Sequence, residues 1–311
     1  MTTAYLTHPD ALAHETPAGH PEQIARITAI HAALDTPEFA GLMRLDAPLA
    51  HDAQLLLCHP EQYVTRIRQA IPAAGIYQLD ADTHVSHGSL NAALRGVGGA
   101  CHAVDLVMQD RAQNAFVGMR PPGHHAERAT PMGFCLFGTV AIAARHALEH
   151  HGLQRVAVVD FDVHHGNGTQ DLLWDEQRAF FVSSHQMPLW PGTGKTDERG
   201  AFGNVMNIPL PPGTDGAKFR QIYEDMVLPQ LDRFAPELVL VSAGFDAHRD
   251  DPLAQLDLLE DDFAWVTGAL CDIAARHCAG RLVSVLEGGY DLEALSRSVA
   301  AHIRVLMEKG A

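Results

Sequence analysis

The chain has 311 residues, of which 47% are hydrophobic and 19% charged, enough to build a full core in one large α/β domain or two smaller ones. Its formal charge of −16 argues against nucleic acid as a direct partner and suits a cationic one, such as a lysine-bearing peptide or a polyamine. Five cysteines without a C-x-x-C pair fit reduced thiols, the first residues lack the basic start and apolar run of a signal peptide, and no stretch approaches the roughly 18–20 apolar residues that span a bilayer, so a cytoplasmic protein without membrane contact is expected.

In chain order, the first 85 residues are irregular and are expected to wrap around a sheet built later. Apolar residues at three- and four-residue spacing predict helices over 89–109, 135–150, 216–234, 258–277 and 292–307. Between them, short β-branched and apolar runs predict strands over 115–119, 156–161, 179–183, 205–209, 238–243 and 282–286. Strands alternating with helices imply a parallel sheet covered by helices on both faces. No Ser/Gly linker, low-complexity stretch or repeat interrupts the pattern, so the expected organisation is a single α/β domain over 1–311.

The unusual polar residues fall where the predicted strands end, the place where open α/β sheets bind ligands. Arg120-Pro-Pro-Gly-His124-His125 follows the first strand, Asp162-Val-His164 the second and Ser183-Ser184-His185 the third. Gly244-Phe-Asp246 and Glu287-Gly288-Gly289-Tyr290 follow the last two. The run Asp160-Phe-Asp162-Val-His164 is the most specific, because period-2 alternation puts its two aspartates and its histidine on one side of a buried strand end. Such a group is costly to bury unless a divalent cation compensates its charge, so a metal site is expected. The tandem pair His150-His151 closes a predicted helix and is read as solvated. The run Gly192-Thr-Gly194-Lys195-Thr196 is not a phosphate-binding loop, since Leu189 stands where that pattern requires glycine.

Arg120–His125, Gly133-Phe134-Cys135, Asp160–Asn167, Ser242–Asp246 and Glu287–Tyr290, in this order, resemble the histone deacetylase family over about residues 14–290. The form His-His-Gly-Asn-Gly-Thr at 164–169 is similar to its class II and bacterial deacetylase-like amidohydrolase branch. The resemblance implies an arginase-like fold with the site at the C-terminal strand ends. It also implies a metal held by Asp162, His164 and Asp246, with zinc expected and ferrous iron the alternative. His125 becomes the general base and later the acid, and His124 a mainly electrostatic neighbour; Asp160 and Asn167 orient the two rings. Asn167 departs from the aspartate of many relatives and should leave His125 less basic. Tyr290, after two glycines including Gly289, becomes the donor to the developing oxyanion.

For the substrate channel the resemblance implies Gly133, whose carbonyl would accept the substrate N–H, with Phe134 and Trp190 flanking the lysine methylenes. The resemblance also implies a structural potassium site on Asp160, Asp162, His164, Ser183 and Ser184, partly made of backbone oxygens, and Arg26 matches an arginine near an acetate exit channel. The implied activity is hydrolysis of the acyl-lysine amide; the alternative is an acetylpolyamine amidohydrolase, and a catalytically silent acyl-lysine binding module is a third option. Polyamine-selective relatives carry an acidic residue at the pocket rim. Here Leu253 holds that position, which favours acyl-lysine, although Asp250 and Asp251 lie beside it. The sequence leaves self-association open.

Overall fold

Residues Val156–Val159 are apolar and mostly β-branched at consecutive positions, and with Asp160 all of them are buried, as a strand covered on both faces requires. In this computed structural model, which describes residues 2–310, the strands are β1 (Thr3–Thr7), β2 (Met43–Asp46), β3 (Ile76–Gln78), β4 (His84–Ser86), β5 (Asn114–Val117) and β6 (Val156–Asp160). They continue as β7 (Ala179–Gln186), β8 (Val205–Leu210), β9 (Leu238–Ala243) and β10 (Leu282–Leu286). Eight of them form one sheet in the order β2-β1-β5-β10-β9-β6-β7-β8, with every pairing parallel. β3 and β4 make a separate antiparallel hairpin.

The parallel pairs are joined through helices. Ser89–Met108 and Thr139–His150 pack on each other and on the central strands, as do Glu260–His277 and Leu292–Lys309. The four central strands β5, β10, β9 and β6 are buried at every position, so their buried faces form the core. Met1 and Ala311 of the expected span lie outside the described residues. No helix among the described residues is long and apolar enough to cross a membrane.

Four differences from the sequence expectation bear on the site. The first 85 residues do not merely wrap the sheet: β1 pairs with both β2 and β5 and extends it at one edge. Its core is only Ala4-Tyr5-Leu6, too short a run to be told from a loop by pattern. β7 continues to Gln186, so Ser183, Ser184 and His185 lie within the strand. β6 stops at Asp160, so Asp162 and His164 sit in the following loop and converge by loop geometry, without the strand alternation that was expected. The helix expected from residue 135 starts at Thr139, because Gly133 and Phe134 adopt φ of 56° and 68° and turn the chain first.

Candidate active site

β6 and β9 pair in register so that Asp160 lies opposite Ser242, and β10 lies beside β9 with Leu286 opposite Ala243. The chain leaves each strand just there, which brings Asp162, His164, Asp246 and Glu287 to one end of the sheet. One ligand atom from each of Asp162, His164 and Asp246 lies within 4.8 Å of the others, and all three residues are buried. His164 Nδ1 is 3.0 Å from Asp246 Oδ2 and 3.3 Å from Asp162 Oδ1. Burial opposes a charge on the His164 ring, yet the two carboxylates push its pKa up to about 10. Burial and the adjoining Asp162 carboxylate raise Asp246 to about 7. Three groups this close and this dry compete for protons, which a divalent cation would displace.

Close approach here depends on glycine. A Cβ on Gly288 would lie 2.6 Å from Asp162 Oδ2 and closer still to Asp246 Oδ2. Gly288→Ala should therefore displace both carboxylates and lower metal content, measurable by elemental analysis, with the fold retained by circular dichroism. The Gly288 amide itself donates to Asp162 Oδ2 at 2.8 Å.

The histidine pair is held from several directions. Gly123 and His124 donate their backbone N–H groups to Glu287 Oε2 at 2.7 and 3.1 Å, and Ser242 Oγ donates to Glu287 Oε1 at 3.0 Å. His124 Nδ1 is 2.9 Å from Asp160 Oδ2, and His125 Nδ1 is 2.8 Å from Asn167 Oδ1. Asn167 Nδ2 is committed as a donor to Glu127 Oε1 at 2.9 Å, so its oxygen faces His125. An amide oxygen only accepts, hence Nδ1 of His125 carries the proton and Nε2 of the neutral ring keeps its lone pair. Burial alone would lower His124, but Asp162, Asp160 and Glu287 outweigh it and hold that ring well above its ordinary pKa. Burial, reinforced by the neighbouring His124 and His164, holds His125 well below it. The pKa values of two adjacent rings with centroids 3.9 Å apart are thus pushed in opposite directions.

A cleft of about 240 Å³ opens onto this group. His125, His164 and Tyr290 line its floor, and Phe134, Trp190 and Leu253 its walls. Phe134 meets Tyr290 edge-on at 5.9 Å, and Trp190 meets His125 at 4.7 Å. Gly133 also lines the cleft, and a Cβ there would lie 2.7 Å from Trp190 Cη2. Its carbonyl accepts the Cys135 thiol at 3.2 Å, which leaves a second lone pair on that oxygen. Burial, then the Asp246 charge, raises the Tyr290 phenol well above its usual pKa, so it stays a donor. Arg26 is fully buried and donates to the carbonyls of Gly289 at 2.6 Å and Glu287 at 2.5 Å, with its guanidinium 5.0 Å from the Tyr290 ring centroid. It braces the Gly289-Tyr290 backbone.

The residues expected to bind potassium do not present free side chains. Asp160 Oδ1 accepts the Asp162 N–H at 3.1 Å, Ser183 Oγ pairs with His185 Nδ1 at 3.0 Å, and Ser184 Oγ with Tyr223 at 2.9 Å. Asp251 is not at the rim either; it is buried and accepts the backbone N–H of Tyr290 at 2.7 Å. The carboxylate that does line the cleft is Asp82, which accepts the Gly133 N–H at 3.0 Å and whose pKa is raised by burial and by Asp80. Neither it nor Leu189, a further wall residue, was anticipated. Asp82 lies in the connection between β3 and β4, which carries no signal beyond two aspartates before a threonine.

A family model described as Histone deacetylase domain matches residues 20–306. A histone deacetylase-like amidohydrolase of Pseudomonas aeruginosa is 40% identical over 88% of this chain and 73% of its own. A human polyamine deacetylase is 37% identical over 99% of this chain and 48% of its own length. The crystal structure of the HDA15 HD domain superposes with a TM-score of 0.92 at 32% identity, covering 99% of this chain and 88% of that one. The eight-stranded parallel sheet is thus an arginase-like α/β fold, and the chain belongs to the histone deacetylase family as a hydrolase that acts on amides.

Proposed function

We propose that the chain is a zinc-dependent amidohydrolase that removes acyl groups from the side-chain amide of lysine in peptides or proteins. The observation that carries this reading is the meeting of three buried ligand atoms with a histidine pair and a phenol at the floor of an aromatic-walled cleft. Asp162, His164 and Asp246 suit zinc as an open, catalytic donor set, with ferrous iron the alternative. When bound, the ion supplies Lewis-acid polarisation of the scissile carbonyl and acidifies a water. His125 takes the proton of the attacking water at Nε2 and later passes it to the leaving amine. The cationic His124, fixed by Asp160, contributes positive charge beside the reacting atoms. Tyr290 donates its O–H to the developing oxyanion on the substrate. Phe134 and Trp190 exclude water around the methylene stem.

The lysine preference rests on Leu253 at the cleft wall, and the polyamine reading on Asp82, the acidic group that lines the same cleft. The test is kcat/KM for an acetyl-lysine peptide and for acetylputrescine, measured side by side with a chelator control. Faster peptide turnover lost on chelation supports the proposal; no chelation effect overturns it. Leu253→Glu should shift the ratio toward acetylputrescine by about tenfold or more, since a new carboxylate facing an ammonium is worth on the order of 1.4 kcal/mol. If acetylputrescine is already the faster substrate and Asp82→Asn removes that advantage, the polyamine reading takes over.

The pH profile tests the base. His125 acts only when neutral, so its lowered pKa keeps the base available toward acid pH for as long as the metal stays bound. In Asn167→Asp the partner is an anion, which raises the pKa of the ring and should move the acidic limb of kcat/KM upward by about 1 unit or more. An unmoved limb would remove His125 from the role.

The bound potassium is proposed on family likeness, and the committed Ser183 and Ser184 hydroxyls require it to be held mainly through backbone oxygens. Equal thermal stability in potassium and in a potassium-free buffer counts against it. The domain is proposed as one catalytic unit over 1–311, supported by a sheet whose strands run from Thr3 to Leu286. Placement in the cytoplasm is supported by five free, buried cysteines.

A further inference from the structure

At the opposite end of the helix Thr139–His150 from the cleft lies a second cluster of metal-ligating groups. The helix starts beside Gly123, next to the catalytic pair, and its 12 residues carry the chain about 18 Å away along the sheet. Its last two turns and cap hold His146, His150 and His151. The neighbouring helix Ser89–Met108 presents Asp105 to them from its own last turn. His146 Nε2 lies 2.7 Å and His151 Nε2 2.8 Å from the same oxygen, Asp105 Oδ1. One ligand atom from each of the three lies within 4.8 Å of the others.

The expectation that His151 is simply solvated therefore fails. Its side chain is 14% exposed and that of His146 10%, and both rings are aimed at one point. A partner 46 residues earlier in the chain cannot be read from the tandem pair itself. With no cation between them, each ring must donate an N–H to Asp105 Oδ1. Burial works against a charged Asp105, but the bonds from His146 and His151 outweigh it and hold its pKa below the ordinary value.

We propose that Asp105, His146 and His151 bind a divalent transition-metal ion, zinc being the probe of choice, at a site separate from the catalytic one. Two imidazole nitrogens and a carboxylate oxygen form a donor set that suits such ions. The ion replaces the two shared protons, so that both nitrogen lone pairs and the carboxylate face the same centre. The ligands come from two packed helices, so their spacing is held by the core and needs no loop closure. His150 stacks on His146 with centroids 5.0 Å apart and planes at 15°, which restricts that ring. An entry path exists, because a cavity of about 430 Å³ lined by His51, Gln54, Asp105, His146, Glu149 and His150 opens beside the cluster. Binding there ties the C-terminus of one helix to the other.

The test is zinc content by elemental mass spectrometry on untagged protein, stripped with chelator, reloaded with excess zinc and desalted. Wild type should hold two equivalents per chain. His146→Gln/His151→Gln should lose one equivalent while kcat/KM stays within about twofold of wild type. A double variant that keeps all the wild-type zinc overturns the proposal. Should that variant fail to fold, Asp246→Ala supplies an independent reading, because it leaves both helices untouched. Its remaining zinc and a zinc-dependent rise in its melting temperature, both lost on adding Asp105→Asn, support the site. An Asp246→Ala chain that neither binds zinc nor gains thermal stability from it overturns the site.

Discussion

Asp246→Ala is expected to remove the catalytic metal and with it essentially all turnover. Asp246 supplies one of three ligand atoms, and its other oxygen accepts the Val163 N–H at 2.9 Å, so its loss also frees the loop that carries Asp162 and His164. Elemental analysis of the variant should show the catalytic equivalent of zinc gone, and activity should not return on adding zinc at micromolar concentration. Full retention of that equivalent would mean that the ligands are other than Asp162, His164 and Asp246. The wild type should show a linked pH effect. Without the ion, His164 holds its proton up to about pH 10 and Asp246 up to about pH 7. Zinc must displace those protons, so its apparent affinity should rise as pH increases through 7 toward 10, and binding at pH 6 should release protons measurable by calorimetry in buffers of different ionisation enthalpy.

The extent to which this site was legible in the sequence follows from how each residue is placed. Asp160, Asp162, His164 and Asp246 sit at or just after strands whose apolar runs are unmistakable, so the topology alone gathers them at one end of the sheet. Period-2 alternation reached the right grouping of Asp162 and His164 for a reason that does not hold, because the strand has already ended. Asp82 was invisible because its position depends on how the β3–β4 hairpin lies against the Gly133 turn, a contact across 51 residues. Arg26 was placed near the site by likeness, but its three-way bracing of Glu22, Glu287 and Gly289 is a product of tertiary packing. β1 was hidden by brevity. The pairing of His151 with Asp105 was hidden by distance along the chain.

Tyr290→Phe should lower kcat by about 10²–10³-fold and leave zinc content unchanged, which separates the oxyanion donor from the metal ligands. The phenol is poised as a neutral donor, since burial and the Asp246 charge disfavour its ionisation. Its backbone is fixed independently of the O–H, by Asp251 accepting the Tyr290 N–H and by Arg26 holding the Gly289 carbonyl. The ring itself packs against Phe134 and under the Arg26 guanidinium. Phenylalanine can keep every one of those contacts, so the substitution removes the hydroxyl and little else. KM for the peptide should therefore change far less than kcat, because the hydrogen bond strengthens as charge develops on the substrate oxygen and contributes little before it. An equal rise in KM with kcat preserved would assign Tyr290 to ground-state binding and leave the oxyanion without a side-chain donor. Loss of zinc from the same variant would show instead that the phenol supports the ligand carboxylates.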